Sequence, residues 1–202
     1  MGAPLARRNL IHDKIRFLVT LSGIVFSIVL ITLNFGLLIG FSTTTSGVID
    51  HSGADLWITA RRVPNLDTAP PILERTVYRA RATPGVARAE PLIVQFSNLK
   101  RPDGGGETIE IVGFNVDQQM GRPWNLVEGR IEDLKLPDPV LLDELYKKKL
   151  GVSRIGDVVE INDRRARVVG FTRGIRSFTT SPYVFASYRN AQGYCRRLES
   201  GE

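Results

Sequence analysis

The sequence predicts an α+β domain carried behind one membrane-spanning helix. Three observations predict it. Residues 17–41 (FLVTLSGIVFSIVLITLNFGLLIGF) contain no charged side chain. The rest of the 202-residue chain is of mixed polarity and suits one compact domain or two small subdomains. Within it, short β-branched and aromatic runs alternate with turn residues, and only two or three short helical patterns interrupt them, which favours α+β over a doubly wound sheet.

At 1.5 Å per residue the charge-free run reaches ~37 Å as a helix, enough to cross a ~30 Å hydrocarbon layer with some tilt. A cleaved secretory signal has an apolar core of only ~7–15 residues followed by a small-x-small site. This run is longer and no clean Ala-x-Ala follows it, so it reads as a permanent anchor. Ahead of it stand Arg7, Arg8, Lys14 and Arg16 against Asp13 alone, and residues 42–49 behind it carry no basic group. The Lys/Arg bias keeps the N-terminus in the cytoplasm and places the domain outside, in the periplasm of a two-membrane cell. The expected layout is a cytoplasmic basic flank at 1–16, a membrane helix at 17–41 and an exported domain at 42–202, with 42–46 (STTTS) as a polar exit from the bilayer.

At 100° per residue Thr20, Gly23, Ser27 and Asn34 share one stripe of that helix. Ser22, Gly36 and Gly40 form another, and Gly36 to Gly40 is a GxxxG. Small residues let helix backbones approach, and an asparagine in lipid prefers a polar partner. Two stripes describe a helix packed on more than one side, with its neighbours supplied by other chains or by sequence beyond this one.

In the exported part, residues 54–60 (ADLWITA) read as a strand and 61–71, with three prolines, as a loop. Residues 72–82 read as a helix stopped by Pro84-Gly85. Residues 89–99 and 108–114 read as a hairpin across Pro102-Asp103-Gly104-Gly105-Gly106. Residues 124–130 read as a loop holding a buried-looking Trp124, and 140–142 as a short strand. Asp143 caps a helix over 144–150 that Gly151 ends. A second hairpin crosses Asn162-Asp163, between 158–161 and 165–171, and a last strand at 183–186 leads into a helix from Ser187.

Sites for bond chemistry are sparse. The glycines at 104–106 belong to a hairpin turn, and no GxxxxGK[ST] motif occurs to bind ATP. His51 with Asp50 or Asp55 and a serine makes a Ser/His/Asp set on paper, but no G-x-S-x-G elbow fixes it, and a polar turn explains His51 better. His12 lies on the basic flank. No Cys/His cluster or HExxH indicates a metal, and no cofactor motif is present. The single Cys195 forbids an internal disulfide and reads as incidental. The flank supplies half of the net charge of +6, and the remainder is dispersed, so nucleic-acid binding is weakly supported. These residues point away from an enzyme.

Several segments follow in an order that resembles a known family. They are LARRNL at 5–10, VARAEP at 86–91, LVEGR at 126–130, VLLDE at 140–144, KLGV at 149–152, GDVVEI at 156–161 and VVGF at 168–171. The order resembles the MacB/FtsX-like permeases of ABC transporters, in particular their periplasmic core domain. RPDGG at 101–105, IVGF at 111–114 and GIRSFTTSPYVF at 174–185 bring the chain nearest the DevC-type branch, which is associated with export through a tripartite envelope system, for example of glycolipids. The resemblance implies a first membrane helix, a periplasmic α+β domain with two subdomains and three further membrane helices, in a permease that forms a homodimer. It also implies a separate ABC ATPase, a periplasmic adaptor protein and an outer-membrane channel as partners. On that plan the chain is a truncated permease, lacking the later helices and the loop that meets the ATPase. The turns at 104–106 and 162–163 are its exposed candidates for adaptor contact. A membrane-anchored binding or assembly module without transporter partners, and an anchored envelope enzyme, are the alternatives.

Overall fold

The computed structural model describes residues 13–63, 65, 68–177, 179 and 181–195. Two compact units, Met1–Thr44 and Thr45–Glu202, divide the chain.

A single helix, α1 (Lys14–Asp50), contains the whole apolar run. It is the one helix among the described residues long and apolar enough to cross a membrane. Asp13 starts it by accepting the Arg16 N–H at 3.3 Å. The helix does not stop at the polar residues after Phe41 but continues to Asp50. Thr43 and Thr44 turn their hydroxyls onto the carbonyls of Ile39 and Gly40, at 3.0 and 2.8 Å, so their polarity is satisfied by the helix itself.

The second unit holds α2 (Arg75–Arg81), then β1 (Ile93–Lys100), β2 (Gly106–Phe114) and β3 (Leu126–Gly129). After a 3-10 turn at Ile131–Lys135 come β4 (Pro139–Asp143), a second 3-10 turn at Glu144–Tyr146 and α3 (Lys147–Leu150). The order closes with β5 (Val158–Ile161), β6 (Arg164–Thr172), β7 (Tyr183–Ser187) and α4 (Tyr188–Tyr194).

Both hairpins read from the sequence are present, β1 antiparallel to β2 and β5 antiparallel to β6. The remaining pairings are not local. β7 lies parallel to β2 and antiparallel to β4, and β4 lies parallel to β6. Because β5 also pairs with β1, the ladder β1-β2-β7-β4-β6-β5 returns to its start and forms a small mixed barrel, with β3 added outside on β6.

Alternation along the strands sorts apolar side chains into two cores. Ile109, Ile111, Val140, Leu142, Val184 and Ala186 point inward with Leu99, Ile161 and Val168. Val112, Phe114, Leu141, Tyr183 and Phe185 point outward into a second cluster, covered by Val48 of α1 and by Trp57, Trp124 and Leu126.

Three sequence expectations are corrected. Residues 54–60 form no strand: their β-branched and aromatic composition fits one, but a strand needs a ladder partner and none of the seven takes them. Residues 126–129, expected to be loop, form β3, pairing Leu126 with Thr172 and Gly129 with Gly170. The strand expected from Ala89 begins only at Ile93, after Pro91, which has no N–H for a ladder. The helix expected over 144–150 is present as a 3-10 turn followed by α3, with Asp143 capping through Leu145 N–H at 3.1 Å and Gly151 ending it at φ +68°.

Asp143 does more than cap. Its carboxylate is 1% exposed and also accepts the Thr172 hydroxyl at 3.1 Å and the Ile175 N–H at 2.8 Å. It therefore ties the ends of β4 and β6 to the chain leaving the barrel.

Two substitutions test this packing. A Cβ at Gly113 would lie 2.3 Å from the Ala191 Cβ, where α4 meets β2, so Gly113→Ala is expected to cost about 1–3 kcal/mol of domain stability by overpacking. Asp143→Ala strands buried donors and is expected to cost at least ~2 kcal/mol. Urea unfolding of the detergent-solubilised chain, followed by circular dichroism, measures both.

Candidate functional site

The two hairpin tips singled out from the sequence meet at one end of the barrel. Leu99 and Lys100 of β1 pair with Ile161 and Glu160 of β5, and the Asn162 N–H donates to the Asn98 carbonyl at 3.0 Å. This short seam sets the turn at 101–105 beside the turn at Asn162-Asp163.

Each tip is fixed by its own sequence. In the first, the Arg101 N–H donates to the Gly105 carbonyl at 2.7 Å, and the Gly105 N–H donates to Asp103 Oδ1 at 3.0 Å. In the second, Asn162 and Asp163 take φ of +48° and +62°, the left-handed pair that a two-residue hairpin with native twist requires. Helix α4 braces the seam from behind. Ser97 Oγ of β1 donates to the Tyr194 carbonyl at 2.9 Å, and the Tyr194 hydroxyl donates to the Arg165 carbonyl of β6 at 3.3 Å. Burial pushes the Tyr194 phenol upward, so it remains a donor at physiological pH.

Between the tips lies an open groove of about 420 Å³, with Lys100, Arg101, Pro102, Glu160, Asp163 and Arg165 in its walls. Lys100 Nζ reaches Glu160 across the seam at 3.6 Å, and Arg101 Nε lies 3.1 Å from Asp103. Charges of both signs therefore line the groove, from the ends of β1 and β5 and from the two turns.

The other sequence-derived residues lie elsewhere. Thr20, Ser27 and Asn34 bond the carbonyls of Arg16, Gly23 and Leu30 in their own helix, at 2.9, 2.9 and 2.8 Å. A Cβ at Gly23, Gly36 or Gly40 would meet nothing within 4 Å. Lys14 and Arg16 sit in the first turn of α1, and Arg7, Arg8 and His12 lie outside the described residues. The Ser/His/Asp set is not assembled: the Nδ1 of His51 bonds the Gly47 carbonyl at 2.8 Å, and Asp50 takes the Ser46 hydroxyl at 2.6 Å. Among the described residues no group of three or more His, Cys, Asp and Glu could hold a metal ion.

Sequence reading missed the extent of two features. Asp143 was legible as a cap but not as the acceptor for Thr172 and Ile175. Trp124 was legible as buried-looking, but nothing local indicates that His51, some seventy residues earlier, stacks on it.

Cys195 is half-buried at the end of α4, and burial pushes its thiol up to about 11. The thiolate is the reactive form, and an unfolded cysteine titrates near ~8.5. At pH 8 alkylation by iodoacetamide is therefore expected to run at least ~100-fold slower in the folded chain than in urea, and to accelerate as pH rises toward 11.

Comparison with known proteins gives the following. The family model of the MacB-like periplasmic core domain matches residues 17–200. Two uncharacterized ABC transporter permeases of Mycobacterium tuberculosis, from strains CDC 1551 / Oshkosh and H37Rv, are each 26% identical over 191 residues. The alignment covers 93% of this chain and 51% of each relative, so the chain spans about half their length. Among solved structures, the extracellular domain of the ABC-type transporter YknZ from Gram-positive bacteria aligns with TM-score 0.47 and 14% identity, covering 60% of this chain and 65% of that one. The periplasmic region of MacB from Actinobacillus actinomycetemcomitans aligns with TM-score 0.46 and 18% identity, covering 70% and 63%.

Proposed function

This chain belongs to the family of the MacB-like periplasmic core domain, and from that premise we propose that it works as a non-catalytic permease subunit, or part of one, of an ABC-type export system. In this reading a separate ATPase hydrolyses ATP on the cytoplasmic side, and the chain couples that hydrolysis to export. The helix lies in the cytoplasmic membrane with Arg7, Arg8, Lys14 and Arg16 holding its N-terminus inside, and the domain faces the periplasm. A periplasmic adaptor and an outer-membrane channel complete the route, the full-length permease is a homodimer, and the motifs shared with the DevC-type branch favour a glycolipid cargo.

The observation that carries the reading is the joint reach of the family match. It runs from residue 17 to residue 200, through the apolar helix and through all seven strands. The permease naming of the relatives supports the same class of function. The groove between the hairpin tips is the adaptor-facing surface in this proposal. It stands on the barrel end built from the two exposed hairpins, and its mixed charges give a partner both donors and acceptors.

Two measurements check it. Alkaline phosphatase fused after Glu202 is expected to be active, and exchanging the four basic residues of the flank for glutamate is expected to lower that activity severalfold. Affinity isolation of the tagged, cross-linked protein from its native membranes is expected to recover an ABC ATPase and an adaptor. A protein that is membrane-embedded and correctly oriented yet recovers neither would overturn the proposal.

A further inference from the structure

The loop carrying Trp124 grips the end of α1 from two sides. The Trp124 ring lies flat on the His51 imidazole, with centroids 4.2 Å apart and planes 9° from parallel. The indole also lies over Gly47, where a Cβ would stand in ordinary van der Waals contact with it at 3.7 Å. The imidazole is oriented by its Nδ1–H bond to the Gly47 carbonyl at 2.8 Å. Three residues before Trp124, the Gly121 N–H donates to the Ser52 carbonyl at 2.9 Å, and the Ser52 hydroxyl donates back to the Ile49 carbonyl at 2.7 Å. Val48, between these contacts, is buried in the outer cluster.

The opposite side of Trp124 leads into the barrel. Its ring meets Phe185 edge-on at 6.4 Å and 78°, a favoured aromatic geometry. Phe185 belongs to β7, which has three strands on either side of it in the sheet order. All these groups belong to the unit that begins at Thr45, so the last turns of α1 are part of the folded domain.

We propose that the His51–Trp124 stack is a clasp that couples residues 45–52, the last turns of α1 and the two residues after it, to the central strand β7 through Phe185, making the end of the helix a fixed element of the domain. A displacement of those turns must then either carry β7 with it or open the stack. The clasp takes its functional meaning from the permease reading, but it is tested on this chain alone, without ATPase, adaptor or nucleotide. Failure of the clasp would leave co-isolation of the partners untouched, and failure of co-isolation would leave the clasp standing.

The test is amide hydrogen exchange on the full chain in phosphatidylcholine nanodiscs, read on peptides covering 45–53 and on peptides from β4 and β6. In His51→Ala, which removes an exposed ring together with its bond to the Gly47 carbonyl, the 45–53 amides are expected to exchange roughly tenfold faster while β4 and β6 stay unchanged. His51→Phe restores a flat ring without the Nδ1 bond and is expected to return exchange close to that of the natural chain. Trp124→Ala is expected to release the same segment at least as far. Unchanged exchange at 45–53 in His51→Ala overturns the proposal, and so does His51→Phe behaving like His51→Ala, which would assign the effect to the hydrogen bond. Should Trp124→Ala loosen the whole barrel, the two His51 variants decide the outcome.

Discussion

The central strands are buried on both faces, and the rest of the domain is arranged around that constraint. All five residues of β4 and four of the five in β7 are buried, as are the last six of β2. Strands of this kind need two covers. Closing the barrel provides the inner one, because Ile109, Ile111, Val140, Leu142 and Val184 face one another across the interior. The outer cover cannot come from the barrel. Phe114, Leu141 and Phe185 would form an exposed apolar patch without Val48, Trp57, Trp124, Leu126 and Ile131 packed over them. The end of α1 therefore has a thermodynamic reason to belong to the domain: it completes a core that the strands leave open.

Closure brings a second problem, which Asp143 addresses. Two strands that end side by side leave backbone groups facing inward, and a buried N–H without a partner is costly. One carboxylate at the end of β4 accepts from Leu145, Thr172 and Ile175, so it starts the next turn and holds the chain leaving β6. A buried charge is unfavourable unless it is richly hydrogen-bonded, and three donors meet that condition. Next to it, the guanidinium of Arg173 holds the Glu144 carboxyl below its ordinary range, which closes the same corner at the surface.

What the sequence disclosed follows the range over which each interaction acts. Hairpins β1–β2 and β5–β6 were legible because their turns, Pro102 to Gly106 and Asn162-Asp163, specify the register locally. The parallel pairings of β7 with β2 and of β4 with β6 were not, since their partners lie far apart in the chain and no local pattern encodes them. Residues 54–60 misled for the same reason: the β-branched and aromatic character of Trp57, Ile58 and Thr59 suits a strand, but a ladder needs a partner that sequence alone does not show. β3 was missed because it is four residues long and only three of them pair, one of them Gly129. At the candidate site each tip could be read on its own, whereas the two-pair seam joining them depends on barrel closure.

The same distinction applies within the apolar helix α1. Thr20, Ser27 and Thr32 direct their hydroxyls to carbonyls four residues back, so those donors need no neighbouring helix to be satisfied in lipid. Asn34 differs. Its amide carries two N–H donors and a carbonyl acceptor, and the bond to Leu30 uses one donor. In hydrocarbon the remaining donor and the acceptor favour a polar partner on another helix. Gly36 and Gly40 add bare backbone within two turns, where a neighbour can come close. The physical case for a packed partner is therefore strongest at Asn34 on one stripe and at Gly36 and Gly40 on the other, which face different sides of the helix. At Thr20 and Ser27 it rests on small size alone.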